Sequence, residues 1–405
     1  MRFKNPVSFS KDECFYGKTI VLYPNEKQKE YIDKCIDLHR FVYNWTIAQK
    51  EEHYQLYKEN KVDSPILHDG EITKRFSKLR NETDWLKCVP LHTLRNAIYD
   101  AIDSFEKFFN KRSNHPVYKT KKKSKKMFKP RTEDFSLYFI DNKVHIEGFK
   151  KNDLILTKYK SGYKTKTDNC KIYNAIITRN SLGQYILSYT YIGNKIDTSL
   201  DYKYDRAIGI DLNVKNLIVT SYGDGEIYKT PNVDKYLKSI KRIQRKISKC
   251  NKSKAEKTNP LNEEDIGSNA KKRQEKLAKK YKKITDIMDT YIHTVSKKIV
   301  SRKPRAIVME TLNVTSMKKK RYVSKSLGFH IGFYKIRRVF EHNCEKFSVP
   351  LIFADPNYPS TQLCSVCGSK YKVGISRIYN CPVCGNCMNR DINAAFNLEK
   401  YAYLN

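Results

Sequence analysis

Four cysteines late in the chain stand at a spacing that can do chemistry. Cys364-Ser-Val-Cys367-Gly368 is followed, after thirteen intervening residues, by Cys381-Pro-Val-Cys384-Gly385. Two residues between paired cysteines let both sulfurs turn toward one ion, and the glycine after each pair permits a tight knuckle. Four thiolates close a tetrahedral zinc site, and a closed site is structural because no position remains for water. In so short a stretch the metal supplies most of the folding free energy. Two pairs with knuckle glycines favour zinc over a redox dithiol. Cys387 lies three residues past Cys384 and is left out of the ligand set. Cys14, Cys35, Cys88, Cys170, Cys250 and Cys344 are scattered singly, as small buried residues are. An odd total of 11 argues against a secreted disulfide scaffold.

Three acids form the second group. Asp211 follows the apolar run Ala207-Ile-Gly-Ile210, and Glu310 follows Ala306-Ile-Val-Met309. Asp391 opens a helix, Asp391-Ile-Asn-Ala-Ala-Phe-Asn-Leu398. An acid at the end of a buried strand is costly unless something pairs with it. One such acid is often a cap or an ion-pair partner. Two on separate strands, with a third at a helix start, are what a divalent-cation site requires, and carboxylate oxygens suit Mg²⁺ or Mn²⁺. Two ions about 4 Å apart can activate a water and stabilise the leaving oxygen of a phosphodiester. Spacing alone leaves open whether the three acids meet.

Charge points to the partner. Lys and Arg number 79 against 43 Asp and Glu, a net +36 over 405 residues. Codon bias toward Lys, Asn, Ile and Tyr can choose Lys over Arg, but it does not remove acids. A surplus of this size repels itself unless a polyanion balances it, and nucleic acid fits better than an anionic membrane because no basic amphipathic helix dominates. The segment from Lys111 to Arg131 concentrates the effect. It interleaves ten Lys and Arg residues with Tyr118 and Phe128, which suits phosphates beside stacked bases as well as a solvated loop. Hydrophobic residues at 40% and charged residues at 30% describe a globular chain of more than one domain. No apolar run approaches the ~18–20 residues of a membrane helix, and Met1-Arg2-Phe3-Lys4-Asn5-Pro6 lacks the apolar core of a secretory signal.

The elements that must position these groups can be read coarsely. Thr19–Tyr23 is strand-like. Residues 25–60 read as helix, with Tyr31, Cys35, Leu38, Val42 and Trp45 on one face, and 91–109 likewise through Leu94, Ile98, Ile102, Phe105 and Phe109. Residues 135–192 are rich in short strands, from Phe135–Ile140 to Tyr185–Ile192, and suggest a small barrel or sandwich. Residues 193–205 are polar and suit a linker. Beyond Arg206 the strands Ala207–Ile210, Asn216–Ser221 and Glu226–Tyr228 precede two long helices. Val233, Leu237, Ile240, Ile243 and Ile247 mark the first, and Leu277, Tyr281, Ile284, Met288, Tyr291, Val295 and Ile299 the second. A polar segment over 249–270 joins them into a basic hairpin. Residues 328–346 read as helix, and Leu351–Phe353 as a strand.

These residues resemble a known family. Gly209-Ile-Asp-Leu-Asn213 is similar to the first RuvC motif, Val308-Met-Glu-Thr-Leu312 to the second and Asn389-Arg-Asp-Ile-Asn-Ala-Ala395 to the third. The cysteine ribbon lies between the second and third, as in transposon-encoded TnpB proteins. Tyr23-Pro-Asn-Glu-Lys-Gln28 with Arg40-Phe-Val-Tyr-Asn-Trp45 resembles the TnpB N-terminal helical motif, and Pro359-Ser-Thr-Gln-Leu-Cys364 the lead-in to its ribbon. The resemblance runs from about residue 19 to the C-terminus with a weak middle. Each acidic motif is short, and their order together with the ribbon is highly specific.

The resemblance implies an RNA-guided DNA endonuclease related to compact type V CRISPR nucleases. It implies a bilobed fold of α/β, β-barrel and helical parts. A wedge β-barrel (1–23 and 113–200) would carry a helical recognition insertion (24–112). An RNase H-like RuvC domain (206–360 and 386–405, with the basic hairpin at 232–300) would be split by a zinc ribbon (361–385). Asp211, Glu310 and Asp391 become the Mg²⁺-binding catalytic residues, and Cys364, Cys367, Cys381 and Cys384 the zinc ligands. Implied partners are a guide RNA from the transposon end and double-stranded target DNA, in a monomer with one RNA in a prokaryotic cytoplasm, associated with the nucleoid and with no membrane. Two departures stand out. Met388 and Asn389 occupy a place where a His-Asp pair is frequent, and Asn213 one where Gly is frequent. A catalytically inactive DNA- or RNA-binding regulator needs the charge and the cysteines but not the acids. A transposase that joins DNA ends is compatible with the acids.

Overall fold

The computed structural model describes residues 10–133, 136–158, 172–197, 201–213, 216–255, 268–311, 332–374 and 376–404. Phe135, Cys170, Leu312, residues 328–331 and most of the 249–270 joining segment lie outside the described residues. The chain divides into two compact units at Gly193 and Asn194.

The first unit is built on a curled, antiparallel half-barrel, the form the expected barrel takes. Its strands are β1 (Glu13–Tyr23), β2 (Lys126–Phe128), β3 (Leu137–Ile140), β4 (Lys143–Ile146), β5 (Ile155–Lys158), β6 (Ile172–Arg179) and β7 (Tyr185–Asn194), in the order β2-β6-β7-β1-β5-β4-β3. Three helices, α1 (Glu26–Lys58), α2 (Asp69–Glu82) and α3 (Leu91–Phe109), stand between β1 and β2. Asn25 starts α1 with a reciprocal cap: its Oδ1 accepts from the Gln28 N–H at 2.9 Å, and Gln28 Oε1 accepts from the Asn25 N–H at 3.0 Å. No Gly or Pro interrupts the next 33 residues, so the helix continues to Lys58. Val42 and Ile47 of α1, Leu94, Ile98 and Ala101 of α3, and Ile177 and Leu187 of the sheet share one core. Two features exceed the reading of the sequence. β1 begins at Glu13, and Gly17 and Lys18 interrupt the apolar residues ahead of Thr19. α2 buries only Ile72 and Phe76, too sparse a stripe to mark a helix.

The basic segment after α3 is tied down. Asn44 of α1 grips the Lys119 backbone at both ends, accepting from its N–H at 2.8 Å and donating to its carbonyl at 2.9 Å. Lys119 Nζ lies 3.3 Å from the centre of the Tyr43 ring. Lys129 pairs with Asp100 of α3, its carbonyl accepts from Asn96 at 3.0 Å, and Asp100 also meets His39 at 3.2 Å. Lys121, Lys122, Lys123, Lys125 and Lys126 remain exposed.

The second unit carries a five-stranded sheet of β8 (Ile208–Leu212), β9 (Ile218–Thr220), β10 (Glu226–Tyr228), β11 (Ile307–Glu310) and β12 (Leu351–Ala354), in the order β10-β9-β8-β11-β12. β8, β11 and β12 run parallel, and β9 and β10 antiparallel. The parallel centre is covered on both faces, so β8 reads as a continuous buried run. Ile307 and Met309 face a core built with Ile292 and Ile299 of α5 (Ser268–Val300) and Ile336 and Phe340 of α6 (Phe333–Lys346). Val308 faces the other side, with Ala354 and Leu398 of α7 (Arg390–Tyr401). α4 (Asp234–Ala255) packs along α5, and Gln244 donates to the Tyr281 hydroxyl at 3.0 Å. Among the described residues no helix is long and apolar enough to cross a membrane.

Candidate metal centres

The carboxylates are brought together by two adjacent strands and one helix. β8 and β11 are parallel neighbours with Ile210 opposite Met309, so Asp211 and Glu310 follow at the same end of the sheet. Glu310 Oε1 accepts from the Leu212 N–H at 3.2 Å. Asp391 lies in the first turn of α7, where the helix dipole favours an anion. α7 lies directly on β8, and Gly209 is what allows this. A Cβ there would stand 2.0 Å from the Ala395 carbonyl oxygen and 2.4 Å from the Glu399 nitrogen. The far end of α7 is pinned by Arg206, whose Nε donates to Glu399 Oε1 at 2.7 Å, and by Tyr403, whose hydroxyl accepts from the Ala207 N–H at 2.8 Å.

Asp211 and Asp391 are only 5% and 4% exposed, and Glu310 is partly buried. Burial holds the Asp211 carboxyl well above the usual range; Asn213 partly opposes this, and the charge of Asp391 adds to it. Burial raises Glu310 in the same way, with the charge of Asp211 second. Burial and mutual repulsion thus both disfavour the ionised form at Asp211 and Glu310. Polar neighbours hold two of the acids in place. Asn213 donates to Asp211 Oδ2 at 3.3 Å, and Asn216 donates to Asp391 Oδ2 at 3.0 Å. Arg377 donates to Asp391 Oδ2 at 3.4 Å, and Arg390 pairs with Asp391 Oδ1 at 3.9 Å. Arg377, Asn216 and Arg390 were not legible as site residues. Arg377 reaches Asp391 only through the ribbon hairpin of β13 (Ile378–Asn380) and β14 (Cys387–Asn389).

The cysteines meet more tightly. Among the described residues, Cys364, Cys367, Cys381 and Cys384 are the group whose ligand atoms all lie within 4.8 Å of one another; the three carboxylates do not meet that limit together. The Cys364–Cys384 and Cys367–Cys381 sulfurs stand 3.6 Å apart. A tetrahedron with metal–sulfur bonds of ~2.3 Å has edges of about 3.8 Å, so the donor set fits Zn²⁺. Each knuckle closes as the spacing predicts. Gly368 and Gly385 take φ of +75° and +70°, and their N–H groups donate to the carbonyls of Cys364 and Cys381 at 2.9 and 3.1 Å. The Ser369 hydroxyl lies 3.1 Å from the Cys367 sulfur and 3.2 Å from that of Cys381, and it favours the thiolate at both. Cys387 is exposed on β14, outside this group.

In the first unit, Arg40, Lys121, Lys125, Lys126 and Arg179 line a cavity of about 140 Å³ together with Asp33 and Asp37. Arg179 is paired with Asp33 at 2.6 Å, and Arg40 with Asp37 at 3.2 Å. Cations outnumber acids there.

Comparison with known proteins follows the same order along the chain. A model described as a helix-turn-helix domain matches residues 17–59, one described as a probable transposase, of the IS605 OrfB type, matches 200–321, and one described as a Cas12f1-like TNB domain matches 333–398. The first span holds β1 and one long helix here, not two short ones. A Streptomyces pristinaespiralis protein named as a candidate RNA-guided DNA endonuclease is 23% identical over 93% of this chain and 86% of its own length. InsQ of Escherichia coli, named in the same way, is 23% identical over 89% of this chain and 85% of its own. A TnpB-like protein of Methanocaldococcus jannaschii is 26% identical over 61% of this chain and 85% of its own. The fold is similar to that of Cas12f1, solved with a single guide RNA and target DNA, with a TM-score of 0.59 at 14% identity over 93% of this chain and 83% of that one. With two acids at strand ends, a third at a helix start, its ribbon between the second and third, and relatives matched along most of its length, the chain is similar to the TnpB-like proteins.

Proposed function

We propose that the protein is an RNA-guided DNA endonuclease whose cutting centre is Asp211, Glu310 and Asp391. The observation that carries this reading is the convergence of three acids, on two parallel strands and one helix start, into a buried cluster that disfavours the ionised form at Asp211 and Glu310. Three carboxylates can share two ions about 4 Å apart. The three carboxylates would hold Mg²⁺ or Mn²⁺, which supplies activated water and neutralises charge at the scissile phosphate. Asn213 and Asn216 orient Asp211 and Asp391, while Arg377 and Arg390 offset the charge of Asp391 beside the phosphate path. Zn²⁺ at the four cysteines holds the ribbon.

Guide RNA and double-stranded DNA are the partners. Base pairing reads the sequence, and the protein reads backbone shape and a short motif beside the target. Residues 1–23 and 113–200 serve as the wedge and 24–112 as the recognition insertion. Residues 206–360 and 386–405 serve as the nuclease domain, interrupted by the ribbon at 361–385. The complex acts as a monomer with one RNA, in the cytoplasm at the nucleoid. The exposed lysines of the 121–126 segment contribute to affinity, so binding falls steeply with salt.

The test is cleavage of a target duplex by the RNA-loaded protein. Asp211→Ala, Glu310→Ala and Asp391→Ala should each abolish cutting while RNA binding persists. Cutting that survives all three changes overturns the nuclease reading and leaves the RNA- or DNA-binding regulator.

A further inference from the structure

Helix α7 and its N-cap carry a ladder of asparagines beside the ribbon. Asn389, Asn393 and Asn397 recur every four residues, and so share one face. Asn393 is fully buried, and both ends of its amide are used. Its Oδ1 accepts from the Ser365 N–H at 2.8 Å, and its Nδ2 donates to the Leu363 carbonyl at 2.6 Å. Those two groups belong to the peptide bonds on either side of Cys364. Asn397, 2% exposed, donates to the same Leu363 carbonyl and to that of Ser360, both at 2.7 Å. At the other end Asn389, on ribbon strand β14, accepts from the N–H of Asp391 at 2.9 Å and that of Ile392 at 3.3 Å. A cysteine of the sulfur cluster is thus fixed to the helix two residues from the third carboxylate, and that carboxylate's own N–H is held by the ribbon.

We propose that Asn393 is a positioning residue that couples two metal sites: its grip on the peptides flanking Cys364 makes zinc occupancy of the ribbon set the place of Asp391, and so the affinity of the carboxylates for a divalent cation. The proposal rests on the reading of Asp211, Glu310 and Asp391 as a divalent-cation site. Coupling of this kind is reciprocal: Mn²⁺ at the carboxylates tightens zinc at the cysteines by the same factor. Asn393 touches neither metal. It acts through the helix, as residues behind a metal ligand do, and their loss typically costs 10–100-fold in affinity.

The experiment uses the full chain loaded with zinc. Mn²⁺ binding is followed by electron paramagnetic resonance, zinc content with a chromogenic chelator, and cleavage by the RNA-loaded protein across a Mg²⁺ titration. Asn393→Ala should weaken Mn²⁺ binding about 10-fold and raise the Mg²⁺ midpoint by the same factor. Cleavage should recover at saturating Mg²⁺, which general unfolding does not allow. Loss of zinc together with weakened Mn²⁺ binding also supports the coupling; loss of zinc with unchanged Mn²⁺ binding overturns it. Retained zinc with an unchanged Mg²⁺ midpoint overturns it as well. If Asn393→Ala does not fold, Asn397→Ser carries the same comparison with the same criteria. Asp391→Ala is the control: Mn²⁺ binding unchanged in that variant overturns the divalent site itself, separately from the role of Asn393.

Discussion

The sulfur cluster and the carboxylate cluster solve opposite problems. The ribbon has little apolar core of its own. Among the described residues, Cys364, Tyr379 and Cys381 are its buried hydrophobic ones, with Val373 packed beside them. Its geometry therefore depends on sulfurs already gathered to tetrahedral edges. The carboxylates sit instead on a sheet that folds by burying Ile208, Ile210, Ile307 and Met309. That sheet holds its acids at an electrostatic cost. One site has a donor set that fits a structural metal; the other is held by the fold against its own charge. A metal that makes structure needs closed geometry, and one that makes chemistry needs open, strained charge.

Cleavage should break this comparison at the level of activity. Replacing any one of the three acids by Ala should cost at least about a thousandfold in cutting rate, about 4 kcal/mol of transition-state stabilisation, while circular dichroism and zinc content stay as in the parent. Next come the metals. Stripping zinc, or Cys381→Ser, should unfold the ribbon, since structural zinc contributes roughly 10–16 kcal/mol in small zinc-finger peptides. Removing only Mg²⁺ should leave the melting curve nearly unchanged. Gly209→Ala should cost about 2–4 kcal/mol, because the new methyl meets the backbone of α7 and neither partner can yield; chemical denaturation measures it. A Gly209→Ala protein as stable as the parent would mean that α7 does not lie on β8 as described.

The smallest effect has the opposite sign. Asp211→Asn should stabilise the metal-free protein by on the order of 1–2 kcal/mol. The native state holds protons on Asp211 and Glu310 more tightly than the unfolded chain does. Between the ordinary carboxylate range and their raised values, stability therefore falls as pH rises. The parent should lose stability from pH 5 to pH 8 more steeply than Asp211→Asn, as melting temperature at the two pH values will show.

What was legible followed physical range. The knuckles were readable because their chemistry closes within five residues, Cys364 to Gly368 and Cys381 to Gly385. The long helices were readable from their stripes, and Leu91–Phe109 appears with those bounds. The acids could be named as strand-end and helix-start residues, but their meeting depends on the β8–β11 register and on the bare Cα of Gly209, which composition does not encode. Asn389, a departure from the family pattern, keeps its physical role: Asn caps a helix as Asp does, and it caps α7 through the Asp391 and Ile392 N–H groups. Arg377 left no local signal, because a hairpin separates it from the carboxylate it serves.

The tethered lysine segment separates two properties that usually change together. The fold draws on Lys119, through Asn44 and Tyr43, and on Lys129, through Asp100 and Asn96. Lys123, Lys125 and Lys126 stand outside those attachments, and Lys121 has only a distant acid at 3.8 Å. Grip on a polyanion can therefore be adjusted one charge at a time, by Gln substitution at these four positions, while the architecture beneath stays as it is. Selection or a designer can trade tightness for turnover along this stretch without refolding anything.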